Sequence, residues 1–178
     1  MNYCSNCGHP VVLKVPKDDT HARYVCDNCG MIHYQNPRVI VGSLPIWEDK
    51  ILICKRAIEP RAGLWTIPAG FMENKETLEE GALRETLEES GAHVNIIRLH
   101  SVYSLPQVNQ VYIIYLAQME SAFFDPGIES LECRLVTPDK IPWDEIAFSA
   151  IRFSLEKFLE NEGNECPRVF VGTLDDTL

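Results

Sequence analysis

Two cysteine pairs constrain the start of the chain more tightly than any other feature: Cys4 with Cys7 and, eighteen residues later, Cys26 with Cys29. Two CxxC pairs at that distance match a four-thiolate zinc ribbon, each pair on its own tight knuckle. Gly8 and Gly30 follow the second cysteine of each pair, where a knuckle needs a permissive backbone. Disulfides are the competing reading. Against them, no secretory pattern opens the sequence, and the other cysteines, Cys54, Cys133 and Cys166, are scattered and odd in number. Four thiolates would close the zinc shell and make the ion structural, leaving His9, His21 and His33 as surface or knuckle residues unless one replaces a cysteine that lies too far away. Cys54, in the run ILIC, reads as a small buried apolar residue.

The stretch Gly70 to Ala92, GFMENKETLEEGALRETLEESGA, is the second constraint. No proline interrupts Glu76 to Ser90, Asn74 and Glu76 bring a capping residue and an acid to its start, and Gly91 suits the left-handed position past its end, so a helix is expected. At about 100° per residue, Glu85, Glu88 and Glu89 share an arc of roughly 100°. Such crowding destabilises a bare helix, and a hard cation that prefers oxygen ligands, Mg²⁺ or Mn²⁺, removes the conflict. Leu83 and Leu87 fall away from the acids and are expected to anchor the helix to a core. Gly81 costs roughly 1 kcal/mol against alanine, which implies a close approach to the backbone there. A solvated acidic face is the plain alternative.

Gly70, Glu76, Arg84, Glu85, Glu88, Glu89 and Gly91, at these spacings over 23 positions, resemble the box of the Nudix hydrolases, which cleave nucleoside diphosphates linked to another group. The lead-in Gly63, Leu64, Trp65, Pro68 and Ala69 matches the GLWxxPAG that often precedes it. Thr86 and Ala92 stand where the box prefers aliphatic residues, and Lys75 where relatives often have glycine. The resemblance implies that Glu85, Glu88 and Glu89 hold Mg²⁺ or Mn²⁺, that Arg84 orients a neighbouring glutamate, and that Glu76 and the Gly70 backbone shape the loop around the metal. Phosphoanhydride cleavage needs charge neutralised on oxygens and a water activated, and bound metal serves both needs.

With 178 residues and 46% hydrophobic content, the chain suffices for one core and a small metal-held module. The net charge of −10 argues against long nucleic acid as a partner. No apolar run approaches the ~20 residues a bilayer span requires, so no membrane partner is expected, and thiols with zinc suit a cytoplasmic compartment. The expected organisation is a ribbon over 1–34, a Nudix domain over 35–163 and a tail over 164–178 that is hard to place. Within the ribbon, Val15 to Arg23 is polar enough for a hairpin tip. Strands are expected at Val39 to Trp47, Ile51 to Lys55, His93 to Val102, Val108 to Met119 and Leu131 to Val136. A final helix spans Ser149 to Asn161, with Ile151, Leu155, Phe158 and Leu159 at core spacing and Gly163 beyond it. The resemblance implies an α/β/α sandwich around a mixed sheet.

Substrate choice rests on residues outside the box. NADH pyrophosphatases with a zinc ribbon carry SQPWPFPxS, whereas this chain reads HSVYSLPQVNQVY. The ribbon, YQNPRVIVG and PGIESLECRL together resemble plant chloroplast-type FAD pyrophosphatases, which also act on ADP-ribose; with no transit peptide evident, the plastid address does not carry over. The expected reaction is hydrolysis of FAD to FMN and AMP, or of ADP-ribose to AMP and ribose 5-phosphate. NADH or the NAD cap of an RNA is the alternative substrate, and a non-catalytic binding module on a Nudix scaffold the alternative class. Pro106 stands near where ADP-ribose-hydrolysing relatives carry proline, so Leu105, Gln107 and Val108 would border the pocket. Glu132, ahead of Glu129, is the expected general base, though either would serve equally as a cap or salt-bridge partner. Trp47, Tyr103, Phe123 and Phe124 would stack on a base if they are not core, and Arg56 or Arg61 would reach a phosphate or sit on the surface. Relatives commonly pair, so a homodimer is expected.

Overall fold

The computed structural model describes residues 1–161 and 168–174, in two compact units, Met1–Pro37 and the chain from Arg38 onward. Gly163, Cys166 and parts of the tail lie outside the described residues.

In the first unit, Gly8 and Gly30 take φ of 73° and 75°. That turn lets their N–H groups reach the carbonyls of Cys4 and Cys26 at 2.9 and 2.8 Å, closing one knuckle around each pair. Three short antiparallel strands, β1 (Val12–Lys14), β2 (Arg23–Val25) and β3 (Ile32–His33), lie in that order. The polar stretch 15–22 forms the hairpin tip, as its composition predicts.

The second unit contains β4 (Arg38–Trp47), β5 (Lys50–Arg56), β6 (Trp65–Thr66), β7 (Ala69–Phe71), α1 (Leu78–Ser90), β8 (Val94–Leu105), β9 (Gln110–Met119), β10 (Ser130–Val136), α2 (Ser149–Glu160) and β11 (Phe170–Thr173). Among the described residues the sheet runs β10-β5-β4-β9-β8-β11, with β6 paired to β5 and β7 to β4. It is mixed: β4 with β9 and β8 with β11 are parallel, the other pairs antiparallel. Alternation along each strand sends side chains to two faces. Ile40, Leu44, Ile51, Ile53 and Ile114 join Ile151 and Leu155 of α2 in one cluster, each such burial worth about 1.5–3 kcal/mol. Val41 and Ser43 face the other way, toward α1, above a second cluster of Leu52, Cys54, Ala92, Val94, Ala117, Met119 and Cys133. One helix on each face makes the expected α/β/α sandwich. No described helix is long and apolar enough to cross a membrane.

Three expectations need correction. Helix α1 starts at Leu78, because Thr77 and Glu80 form a capping box, Thr77 Oγ1 accepting from the Glu80 N–H at 3.2 Å and Glu80 Oε2 from the Thr77 N–H at 2.8 Å; Asn74 and Glu76 stand outside it. Leu83 and Leu87 are not core anchors: they are 37% and 45% exposed, while Ala82, Glu85, Thr86, Glu89 and Ser90 are buried. The helix packs by its small and polar side, where Thr86 Oγ1 meets Ser43 Oγ at 2.6 Å and donates to the Ala82 carbonyl at 2.7 Å. At Gly81, a Cβ would meet Val41 Cγ2 at 2.7 Å, the close approach that its presence implies. Finally, part of the unplaced tail is β11, which adds to β8 in parallel with Phe170 opposite Ser101.

Candidate active site

A cavity of about 890 Å³ opens where β7, α1 and the loops before β6 and β10 meet, with Gly70, Arg84, Glu85, Glu88 and Glu89 in its lining. The capping box and the left-handed Gly91 (φ 64°) fix the ends of α1, and the packing of its small side on β4 turns Glu85 and Glu89 inward. A Cβ at Gly70 would lie 2.3 Å from Glu85 Oε2, so any side chain there would displace that carboxylate from its place against β7.

Arg84 is the hub. Its Nε and Nη2 donate to the two carboxylate oxygens of Glu76 at 3.0 and 2.9 Å, and Nη2 also donates to the Phe71 carbonyl at 3.1 Å. Its Nη1 donates to Glu85 at 2.7 Å and to Glu88 at 2.9 Å. Arg84 and the Glu73 N–H hold the Glu76 carboxyl down at about 2, so Glu76 anchors the arginine while itself lying outside the cavity lining. Glu89 lies on the other side and accepts from the Ala69 N–H at 3.1 Å. Burial raises Glu85 above the usual carboxylate range and pushes Glu89 up to about 8. Glu85 and Glu88 thus share the Nη1 donor of Arg84, and Glu89 is held by the β6–β7 turn.

The loop before β10 crosses the end of α1. Asp125 and Gly127 donate their N–H groups to the Ser90 and Glu89 carbonyls at 2.7 and 3.1 Å. A Cβ on Gly127 would sit 1.8 Å from the Glu88 carbonyl, so any larger residue there must push the loop away from α1. Glu129 then lines the cavity. Glu132 does not: it lies on β10, half-exposed and paired with Arg134, so the burial argument for it fails. Arg56 lines the cavity, its guanidinium 5.0 Å from the centre of the Phe148 ring, whereas Arg61 does not. Trp47, Tyr103, Phe123, Phe124, Leu105, Pro106, Gln107 and Val108 are likewise absent from the lining. The apolar wall comes instead from Ile40, Phe71, Tyr112 and Phe148, with Ile58 and Ile128 beside them. Of these, Phe71 stands beside the marked Gly70 and Ile128 beside the marked Glu129; Ile40, Ile58, Tyr112 and Phe148 come from separate parts of the chain and carry no local pattern.

The ribbon holds a second, finished cluster. The four sulfurs of Cys4, Cys7, Cys26 and Cys29 lie within 4.8 Å of one another, with Sγ···Sγ of 3.7 Å for Cys4 and Cys29 and 3.5 Å for Cys7 and Cys26. A tetrahedron with metal–sulfur bonds of about 2.3 Å has edges of about 3.8 Å, so the set fits a single tetrahedral ion. His33 Nε2 approaches Cys4 Sγ at 3.3 Å, and the side-chain amides of Asn6 and Asn28 reach Cys29 and Cys7 at 3.8 Å each.

A model of the NUDIX domain matches residues 36–159, and one of the Nudix N-terminal zinc ribbon matches residues 2–35. The crystal structure of a NUDIX hydrolase from Nitrosomonas europaea is 52% identical, covering 98% of this chain and 99% of its own, with a TM-score of 0.93. An ADP-ribose pyrophosphatase from Streptococcus suis shares the fold, at 20% identity and a TM-score of 0.63 over 76% of this chain and 99% of its own. The NAD-capped RNA hydrolase NudC of Photobacterium profundum is 35% identical over 133 residues, 74% of this chain and 47% of that protein. Its counterpart in Salmonella typhi is 32% identical over 79% of this chain and 53% of its own. The chain thus spans about half the length of the curated relatives it matches.

Proposed function

Because the chain belongs to the Nudix hydrolases, we infer that it hydrolyses the pyrophosphate linkage of a nicotinamide dinucleotide, either NADH or the NAD cap of an RNA, with Mg²⁺ or Mn²⁺ on Glu85, Glu88 and Glu89 and Zn²⁺ on the four cysteines. The placement of three acids, one arginine hub and the Gly70 cradle around one cavity carries the reading.

Hard carboxylate oxygens, two of them held above their usual pKa by burial, form a donor set that a divalent cation would relieve. Once bound, such a cation would neutralise the diphosphate and lower the pKa of a water. The protein's own part is positional. Arg84 fixes Glu85 and Glu88 through its fork of donors, and Glu76 keeps that fork in place. Glu129, across the cavity, replaces Glu132 as the residue to take a proton from the attacking water. Arg56 faces the acids and would meet a phosphate. The wall of Phe71, Tyr112 and Phe148 suits a flat base, and the cavity is of dinucleotide size.

The curated relatives favour nicotinamide substrates over the FAD and ADP-ribose that the sequence suggested, and the Streptococcus suis structure, at 20% identity, speaks to the fold alone. The net charge of −10 leaves little to grip an RNA beyond its cap. A panel of NADH, NAD-capped RNA, FAD and ADP-ribose, assayed with Mg²⁺ and Mn²⁺, tests the proposal. Reduced nicotinamide mononucleotide from NADH, and nicotinamide mononucleotide from capped RNA, should be released fastest, with weak dependence on salt. Preference for FAD or ADP-ribose would restore the earlier reading, and no turnover on any would point to a binding module. A homodimer in a reducing, cytoplasmic compartment fits the same proposal, and light scattering on the purified chain tests the dimer.

A further inference from the structure

Beneath the cavity two cysteines face each other. Cys54 of β5 and Cys133 of β10 are directly opposed in the antiparallel register, and their sulfurs lie 3.2 Å apart. Opposed residues in such a pair have Cα atoms about 4.5–5.5 Å apart, inside the 4.4–6.8 Å range that a disulfide spans. Both are free thiols, packed with Leu52, Ala92, Val94, Ala117 and Met119. Nothing in the reaction proposed above uses them. Their surroundings tie them to it, however: Cys133 Sγ lies 3.7 Å from the Glu89 carbonyl, β5 ends at Arg56, and β10 begins just after Glu129, with Ser130 opposite Arg56 and the Ala57 N–H on the Glu129 carbonyl at 2.8 Å.

We propose that Cys54 and Cys133 form a reversible intramolecular disulfide, a modification site that adjusts the spacing of the two strands carrying Arg56 and Glu129. A hydroperoxide is the oxidant by class. Cys133, 6% exposed against 1% for Cys54, meets it first. Its sulfur attacks the peroxide oxygen to give a sulfenic acid and release water; the Cys54 sulfur then attacks that sulfenic sulfur, and the departing hydroxide leaves as a second water with the Cys54 proton. Two thiols and one peroxide become a disulfide and two waters, with two electrons passing from sulfur to the O–O bond. Closing the bond draws the sulfurs from 3.2 Å to about 2.05 Å and removes the contact with the Glu89 carbonyl. A shift near 1 Å beside a reaction centre can cost up to about 10²-fold in rate.

The bond itself does not depend on the proposed hydrolysis; its effect on turnover does, and the test separates the two. The full-length protein with its zinc retained is titrated with hydrogen peroxide, alkylated and mapped by mass spectrometry, with zinc content followed throughout. The expected result is a Cys54–Cys133 linked peptide formed while zinc is still bound, a fall in turnover of about tenfold, and recovery of both on adding a dithiol. Cys133→Ala and Cys54→Ala should each keep their turnover under the same peroxide dose. If Cys54 and Cys133 stay alkylatable while the ribbon cysteines oxidise and zinc is lost, the proposal fails. If the linked peptide forms and NADH turnover is unchanged, the modification stands and its link to the cavity falls.

Discussion

The two charge clusters of this protein solve one problem in opposite ways. In the ribbon, four sulfurs already lie within 4.8 Å of one another, each pair set by a knuckle of five residues, so the site is assembled by local geometry. In the cavity, Glu85 and Glu88 are tied to Arg84 and Glu89 to Ala69, so three acids on one helix are held by hydrogen bonds from the protein itself. The first arrangement suits an ion that stays as structure. The second suits one that arrives with a substrate.

Breaking each cluster singly should give the largest effects and no cross-talk. Glu88→Gln removes a half-exposed carboxylate that no packing depends on, and turnover is expected to fall about 10³-fold, consistent with losing several kcal/mol of metal-borne stabilisation. Zinc content should stay unchanged, as elemental analysis would show. Cys26→Ser should do the reverse: zinc is lost and β1–β3 unfold, since such modules draw their folding energy from the ion. Activity surviving Glu88→Gln would remove the metal role assigned to the helix.

Gly127 tests whether the acids depend on more than their own helix. A methyl group there would sit 1.8 Å from the Glu88 carbonyl, so Gly127→Ala must push the loop away or strain it, at about 1–3 kcal/mol. Glu129 moves with the loop, and a fall in kcat of roughly 10²-fold is expected with the ribbon's zinc unaffected. Wild-type kcat in this variant would show that Glu129 is not the base.

This contrast also explains what the sequence could convey. The ribbon was legible because its ligands are close in the chain and its glycines mark the turns. So were Gly91, the β4–β5 hairpin and the Glu85, Glu88, Glu89 spacing, all local. The buried side of α1 was not, because apolarity pointed to Leu83 and Leu87 while the Thr86–Ser43 contact, 43 residues apart in the chain, decides it. Glu129, Phe148 and Tyr112 reach the cavity only through the sheet order, and β11 only through a parallel pairing with a strand some 70 residues earlier, where no short pattern exists.

Protonation separates the clusters by a smaller margin. Burial lifts Glu89 to about 8 from its ordinary 4.5, so in the metal-free protein it is largely protonated at neutral pH. Its raised pKa contributes stability that is complete below about pH 4.5 and is lost as pH rises through about 8. A divalent cation must displace that proton. Apparent Mg²⁺ affinity should therefore rise with pH up to about 8 and level off, with proton uptake by the buffer seen in titration calorimetry at pH 7 in buffers of different ionisation enthalpy. Affinity independent of pH over that range would place the cation away from Glu89.

Lys75 gives the finest test. It leads into α1 with φ of 75°, the value that Gly30 holds in its knuckle and close to the 73° of Gly8. A side chain in this left-handed region costs about 1–2 kcal/mol, which the two cysteine knuckles avoid by using glycine and the α1 approach does not. In Lys75→Gly, part of that gain is offset by the greater freedom of glycine in the unfolded chain, leaving about 0.5–1 kcal/mol of stabilisation. For a domain of this size that is a rise of roughly 1–4 °C in Tm. Because Lys75 is exposed and outside the cavity lining, turnover should not change. A drop in kcat alongside a higher Tm would mean that the strained turn serves the placement of the acids, at a cost in stability that the glycine knuckles of the thiolate cluster do not incur.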